Sequence, residues 1–221
     1  MTSLTIGDAS VSAVTSARNI GAVLDETLTM EEHVSCICKS AYYHLRNIAL
    51  VRKYLTQDAT ATLIHALVIS RLDNLNSLLT GLHDYLLSKL QRIQNHASKV
   101  VTKKNKFDHV TPILKSLHWL PVAYRIDYKL LLITHKCLNG KAPEYLASRL
   151  VRYSPGRRLR SYDQYLLVEK RSNLKTYGDR AFSTAAPRLW NSLPLELRKC
   201  NCLESFKSLL KTHLFRKAFN T

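Results

Sequence analysis

Residues 84–106, DYLLSKLQRIQNHASKVVTKKNK, decide the fold. At about 100° per residue, Leu86, Leu87, Leu90, Ile93, Ala97, Val100 and Val101 fall on one broad apolar face, so the stretch reads as a helix packed against a core. Lys89, Arg92, His96, Lys99 and Lys103 gather on a stripe of roughly 80° turned away from that face, and Lys104 and Lys106 carry the charge past its end. Asp84 is read as the cap. The same helix marks a break in charge. Residues 1–84 hold 6 Lys+Arg against 8 Asp+Glu, whereas residues 85–221 hold 27 against 8, so the whole excess of +17 begins here.

Working outward, 221 residues suffice for one large or two modest domains with a real core. Hydrophobic residues at 46% with only 6 Gly and 6 Pro describe a globular, helix-leaning chain. A pI near 9.8 points to a polyanionic partner, nucleic acid first and an acidic membrane surface second, the alternative being a merely solubilising basic surface. No stretch reaches the roughly 20 apolar residues of a membrane span. The opening MTSLTIGDAS lacks a signal peptide's basic end and apolar centre, and five cysteines suit a reducing compartment. The expected location is intracellular, nucleus or cytoplasm. Cys36/Cys38 and Cys200/Cys202 are C-x-C pairs, the second followed by His213, but structural zinc sites space paired ligands by two to four residues, so no metal is expected.

Residues 3–24 alternate apolar and small polar residues around a Gly-Asp turn, which predicts a β-hairpin followed by a strand ending at Asp25. Such a ribbon is marginal alone and reads as the edge of a sheet whose remainder lies upstream. From Met30 the period becomes helical. Val34, Ile37, Cys38, Ala41, Tyr42, Leu45, Ile48 and Ala49 face inward, ending in the basic cluster Arg52, Lys53. Thr56 and Asp58 offer a cap for a second long helix, with Ala61, Ile64, Leu67, Val68, Leu72, Leu75, Leu78 and Leu79 inward and Gly81 as its stop. With the basic helix these make a three-helix bundle. Beyond it, Pro112 opens a short helix to Leu117, Val122–Leu138 is a strongly apolar helix, and Pro143 opens another short one through Leu150. Residues 152–180 read as a basic loop and ribbon holding Arg157, Arg158 and Arg160, with one strand at Tyr165–Val168. Its tyrosines, Tyr153, Tyr162, Tyr165 and Tyr177, either stack on exposed bases or anchor a solvated segment to the core. A final amphipathic helix spans Ser205–Phe219, with Phe206, Leu209, Leu210, Leu214 and Phe215 inward.

Catalysis leaves no trace. Two-metal nucleases and polymerases need convergent carboxylates, and the only pairs are Asp25-Glu26 and Glu31-Glu32. The nine histidines are scattered singly. Cys137 and His135, two apart on a helix, do not face each other. No glycine-rich phosphate loop is present.

Three stretches, ARNIGAVLD (17–25), KFDHVTPILKSLHWLPVAYRIDYKLLLITHKCLNGKAPEYL (106–146) and YGDRAFSTAAPRLWNSLPLELR (177–198), resemble the final part of the reverse transcriptase of non-long-terminal-repeat retrotransposons of the Jockey-type group. HLRNIALVRKYLT, HALVISRLDNLNSLLTGL and FKSLLKTHLF extend the resemblance over nearly the whole chain. It implies that residues 1–29 are the last strands of the polymerase palm, with Ile20 and Gly21 near the primer end. Residues 30–106 would be a thumb, and residues 107–221 the basic C-terminal region of the element's polyprotein. The family's Tyr/Phe-x-Asp-Asp turn and upstream aspartate, which bind two magnesium ions, are not in this sequence, nor is its endonuclease, so magnesium belongs only to the intact parent enzyme. Where the family commonly reads Tyr-Cys-Asn, this chain has Asn74-Leu75-Asn76.

The expectations are therefore a mostly α, α+β fold and a non-catalytic fragment of an RNA-directed DNA polymerase. It would need no cofactor of its own and would grip RNA, DNA or an RNA/DNA hybrid through phosphates. The missing palm and fingers of the parent polymerase are the other expected partner. Lys89, Arg92, Lys99, Lys103, Lys104, Lys106, Arg157, Arg158 and Arg160 are the expected contacts. The rival readings are a domesticated nucleic-acid-binding protein and a basic module for acidic membranes or proteins.

Overall fold

A computed structural model describes residues 3–155, 164–174 and 177–220. The fold is α+β and mostly helical, as the periodicity predicts. The ribbon differs in detail. β1 (Ser3–Ile6) pairs antiparallel with β2 (Ala9–Ser12), and β3 (Ser16–Asn19) pairs with β4 (Ala22–Asp25), giving two separate two-stranded sheets rather than a hairpin and a strand. The second turn is Ile20-Gly21, both at positive φ (47° and 88°). That geometry normally calls for Asn-Gly, and a β-branched isoleucine disguises it.

β4 delivers the chain to α1 (Glu31–Val51). Burial raises the pKa of the Asp25 carboxyl, but the N–H groups of Thr29 and Met30, both donating at 2.7 Å, outweigh it and hold the group below its ordinary value. The expected second helix is broken up. α2 (Gln57–Ile64), with Thr56 accepting from the Ala59 N–H, passes through a π turn at His65–Ile69 into α3 (Ser70–Asp73). The helix then ends at Asn74, extended at ψ 121°, and Leu75 is left-handed before a 3-10 turn at Asn76–Leu79. The break leaves Leu78, expected inward, 44% exposed. α4 (Asp84–Thr102) follows, with His83 rather than Asp84 in the cap position.

α1 and α4 lie side by side and run in the same direction. Tyr85 donates its hydroxyl to Glu31 at one end, the Tyr42 and His96 rings meet at 6.3 Å midway, and Arg52 reaches Val100 and Val101 at the other. The core between them and α2 is aliphatic: Leu45, Ile64, Leu79, Leu90 and Ile93 are fully buried. Leu114 of α5 (Val110–Ser116), Trp119, and Val122 and Ile126 of α6 (Val122–Leu138) complete it. Gln94, fully buried on the inner face of α4, donates to the Leu120 carbonyl, and the side-chain oxygen of Gln91 accepts the Val122 N–H.

A second core begins where the first ends, Trp119 entering one and Leu120 the other. It is built by α6, α8 (Phe182–Asn191), α9 (Leu195–Lys199) and α10 (Leu203–Phe219) around Leu131, Trp190, Leu197, Phe206 and Leu210. α8 and α9 were not legible as helices from periodicity. α7 (Glu144–Ala147) is one turn long and stops short of Leu150, and Leu209, expected inward, is 48% exposed. The expected strand at Tyr165–Val168 makes a single bridge, Leu167 with Arg152. Side chains of α8 take its other bonds: the Asn191 amide both accepts from and donates to the Leu167 backbone, and the Trp190 indole donates to the Tyr165 carbonyl.

Candidate nucleic-acid interface

The parallel docking of α1 on α4 leaves a groove of about 560 Å³ between their C-terminal halves. Arg92, His96 and Lys99 form the α4 wall, Ala49 and Arg52 the α1 wall, and Lys103, Lys104 and Lys106 the end. No carboxylate lines it. Neither Cys36–Lys53 nor Tyr85–Lys106 contains an acidic residue, so the surrounding face is of one sign as well. Among the described residues the ion pairs are Arg125–Asp73, Arg188–Asp179 and Lys207–Glu204, none involving a groove cation.

The groove cations differ in what their donors already do. Arg52, 9% exposed, gives Nε to the Val100 carbonyl and its terminal nitrogens to Leu55 and Val101, each at 2.8 Å. It therefore caps the last turn of α4, whose carbonyls have no helical partner and whose dipole favours a cation. Lys99 is half-buried and donates Nζ to the Lys106 carbonyl, closing the loop onto the helix. Arg92, Lys103, Lys104 and Lys106 are exposed. Lys103 carries a further signature. It lies at φ 53°, where α4 ends with the N–H groups of Lys103 and Lys104 both directed to the Lys99 carbonyl. Glycine is the usual residue there, and a side chain costs about 1 kcal/mol.

Of the cations named from sequence, the structure thus brings Arg92, Lys99, Lys103, Lys104 and Lys106 together. Lys89 stands outside, its ammonium 5.3 Å from the ring of Tyr85. Arg157, Arg158 and Arg160, with Tyr162, lie outside the described residues. Ile20 projects from the β3–β4 turn, 85% exposed, and Gly21 lines a different cavity at the other end of α1, where a Cβ would sit 3.4 Å from the Asn74 amide nitrogen.

Arg52 was missed as part of the groove although its signal was present. It continues the buried series Ala41, Leu45, Ile48 at helical spacing, and a cation on a buried face has to find acceptors. Tyr42 and Ala49, both expected inward, are exposed instead. They sit on the flank of α1 that faces the groove, a position that depends on where α4 docks. Among the described residues no three His, Cys, Asp or Glu side chains gather as metal ligands, and no helix is long and apolar enough to cross a membrane. Comparisons of the chain with models of known protein families, with curated proteins and with solved structures returned no match.

Proposed function

We propose that this chain grips nucleic acid through its phosphates in the groove between α1 and α4, as the non-catalytic thumb and C-terminal part of a non-long-terminal-repeat retrotransposon polymerase. One observation carries the reading: four exposed cations, Arg92, Lys103, Lys104 and Lys106, converge on a groove that contains no acid. Such an array attracts polyanions by releasing counterions and reads no sequence. Arg52 shapes the site rather than serves it, since all three of its nitrogens are bonded to backbone carbonyls, while Lys99 spends one of its three donors on closing the loop.

The test is a salt titration of a labelled RNA/DNA hybrid with the full chain. Changing Arg92, Lys103, Lys104 and Lys106 to Gln should shrink the log-log salt slope by about three to four units, whereas Lys89→Gln should change it by less than about one. A folded wild type that fails to bind, or an unchanged slope, overturns the reading. Nucleotide incorporation by the chain with magnesium would overturn its non-catalytic part. Tight binding to anionic vesicles with none to nucleic acid would favour the membrane alternative.

A further inference from the structure

The outer flank of α1 beside the groove is aromatic as well as basic. Tyr42, Arg46, Ala49 and Lys53 recur every three or four residues and so form one stripe. Its place is fixed by Tyr42, whose ring meets His96 of α4, and by Ala49, which lines the groove. Next to that stripe stand Tyr43, Leu50 and, in the 3-10 turn after the helix, Tyr54, which are 64%, 69% and 77% exposed. Lys53 holds its ammonium 4.8 Å from the Tyr54 ring. From Tyr43 to Tyr54 this row covers about 16 Å of helix. At about 100° per residue it lies a quarter turn further round α1 than the stripe that borders the groove, on the outward face opposite the buried Ala41, Leu45 and Ile48.

A duplex can use the cations but not the aromatic row, because its bases are stacked inside and only sugars and phosphates would meet the tyrosines. An unpaired strand can use both. Its phosphates would follow α4 and its bases would turn outward over α1. Aromatic side chains beside a basic track are the usual construction for such strands, since every base offers a π face. We infer that the α1–α4 face takes single-stranded nucleic acid, the groove cations holding phosphates and Tyr43, Leu50 and Tyr54 receiving bases. This rests on the phosphate-gripping reading above and names the form of nucleic acid it prefers.

The experiment compares single-stranded RNA, single-stranded DNA, a blunt DNA duplex and an RNA/DNA hybrid of equal length, each titrated with the full chain at low and at high salt. Either single strand should bind tighter than both duplexes, and the gap should widen as salt suppresses the phosphate contribution. Which of the two binds better identifies the sugar the site accepts. Tyr43→Ala and Tyr54→Ala, both at exposed positions and checked for unchanged circular dichroism, should each weaken single-strand binding by about five- to a hundredfold with the salt slope preserved. Equal or tighter binding of a duplex, with the tyrosine variants indistinguishable from wild type, overturns this inference and leaves the groove reading standing. Absence of binding to all four probes by the folded chain removes both.

Discussion

The helical bundle and the C-terminal core are both basic but hold their cations differently. On the bundle, the outer faces of α1 and α4 carry only cations over long stretches, and those that are satisfied bond to backbone carbonyls. Around the second core two cations meet acids, Lys207 with Glu204 on α10 and Arg188 of α8 with Asp179, although residues 107–221 as a whole still hold 21 Lys+Arg against 8 Asp+Glu. The cores differ in parallel, one aliphatic, the other built on Trp190, Phe206 and the buried His135, whose ring stacks on Phe206 at 4.1 Å and donates Nε2–H to the Cys200 carbonyl. A matched charge contributes to local packing and little else. A face of one sign gains nothing from such pairing and sets up a positive potential over the bundle.

The sharpest break between the two regions is the aromatic stack. Phe206→Ala should cost about 3–5 kcal/mol in urea unfolding, because the ring is fully buried between His135 and Trp190. A loss below about 1 kcal/mol would mean that the second core is not packed around it. Next in size is Arg52→Gln, which removes charge-assisted bonds to α4 and should destabilise the bundle by about 2–3 kcal/mol. Lys104→Gln, at an exposed position in the same groove, should leave stability unchanged while weakening binding. Equal destabilisation by the two would erase the distinction between the structural and the free cations.

Acidification separates the contributions further. Burial lowers the pKa of His33 at the foot of the bundle and of His135 in the second core. For groups depressed in the folded state, stability is fully present above the unfolded value of 6.5 and is lost as pH falls below it toward the folded values. Asp25, depressed as a carboxylate, adds a second loss only below its ordinary 3.8. The melting temperature should therefore fall between about pH 7 and pH 5, with His135→Gln flattening the part due to the second core. A profile that is flat or rises there would contradict the burial of these rings. The smallest effect has the opposite sign. Lys103→Gly should stabilise the chain by about 1 kcal/mol by relieving the left-handed backbone, while lowering the salt slope of nucleic-acid binding by about one unit. Stabilisation without loss of slope would show that Lys103 caps α4 and contacts no phosphate.

Legibility followed the length and regularity of each element rather than that division. α1, α4 and α6 were visible because long amphipathic periods average over local exceptions, and a basic stripe opposite an apolar one needs no tertiary information. The second helix was not, because a π turn and a left-handed Leu75 leave no mark on hydrophobic spacing. α8 and α9 escaped because ten residues interrupted by Pro187 and five residues opening after Pro194 carry too few turns for a period to emerge. In the β3–β4 turn Gly21 was the only local signal, and Ile20 masked it.

By itself the sequence determined the helical class, the break in charge at residue 84 and which cations of α4 leave the core, since each depends on local spacing and composition alone. Only the tertiary structure decided that α1 lies parallel to α4. That docking assembled a groove from residues about 50 positions apart in the chain, turned Tyr42 and Ala49 outward, left Lys89 aside and committed Arg52 to the carbonyls of another helix. The physical reason is that an amphipathic helix specifies which face it buries but not against which neighbour, in which direction or at what height. Those follow from how the aliphatic side chains of α1, α2 and α4 interlock, and from the polar bonds that Gln91, Gln94 and Arg52 can complete in one arrangement.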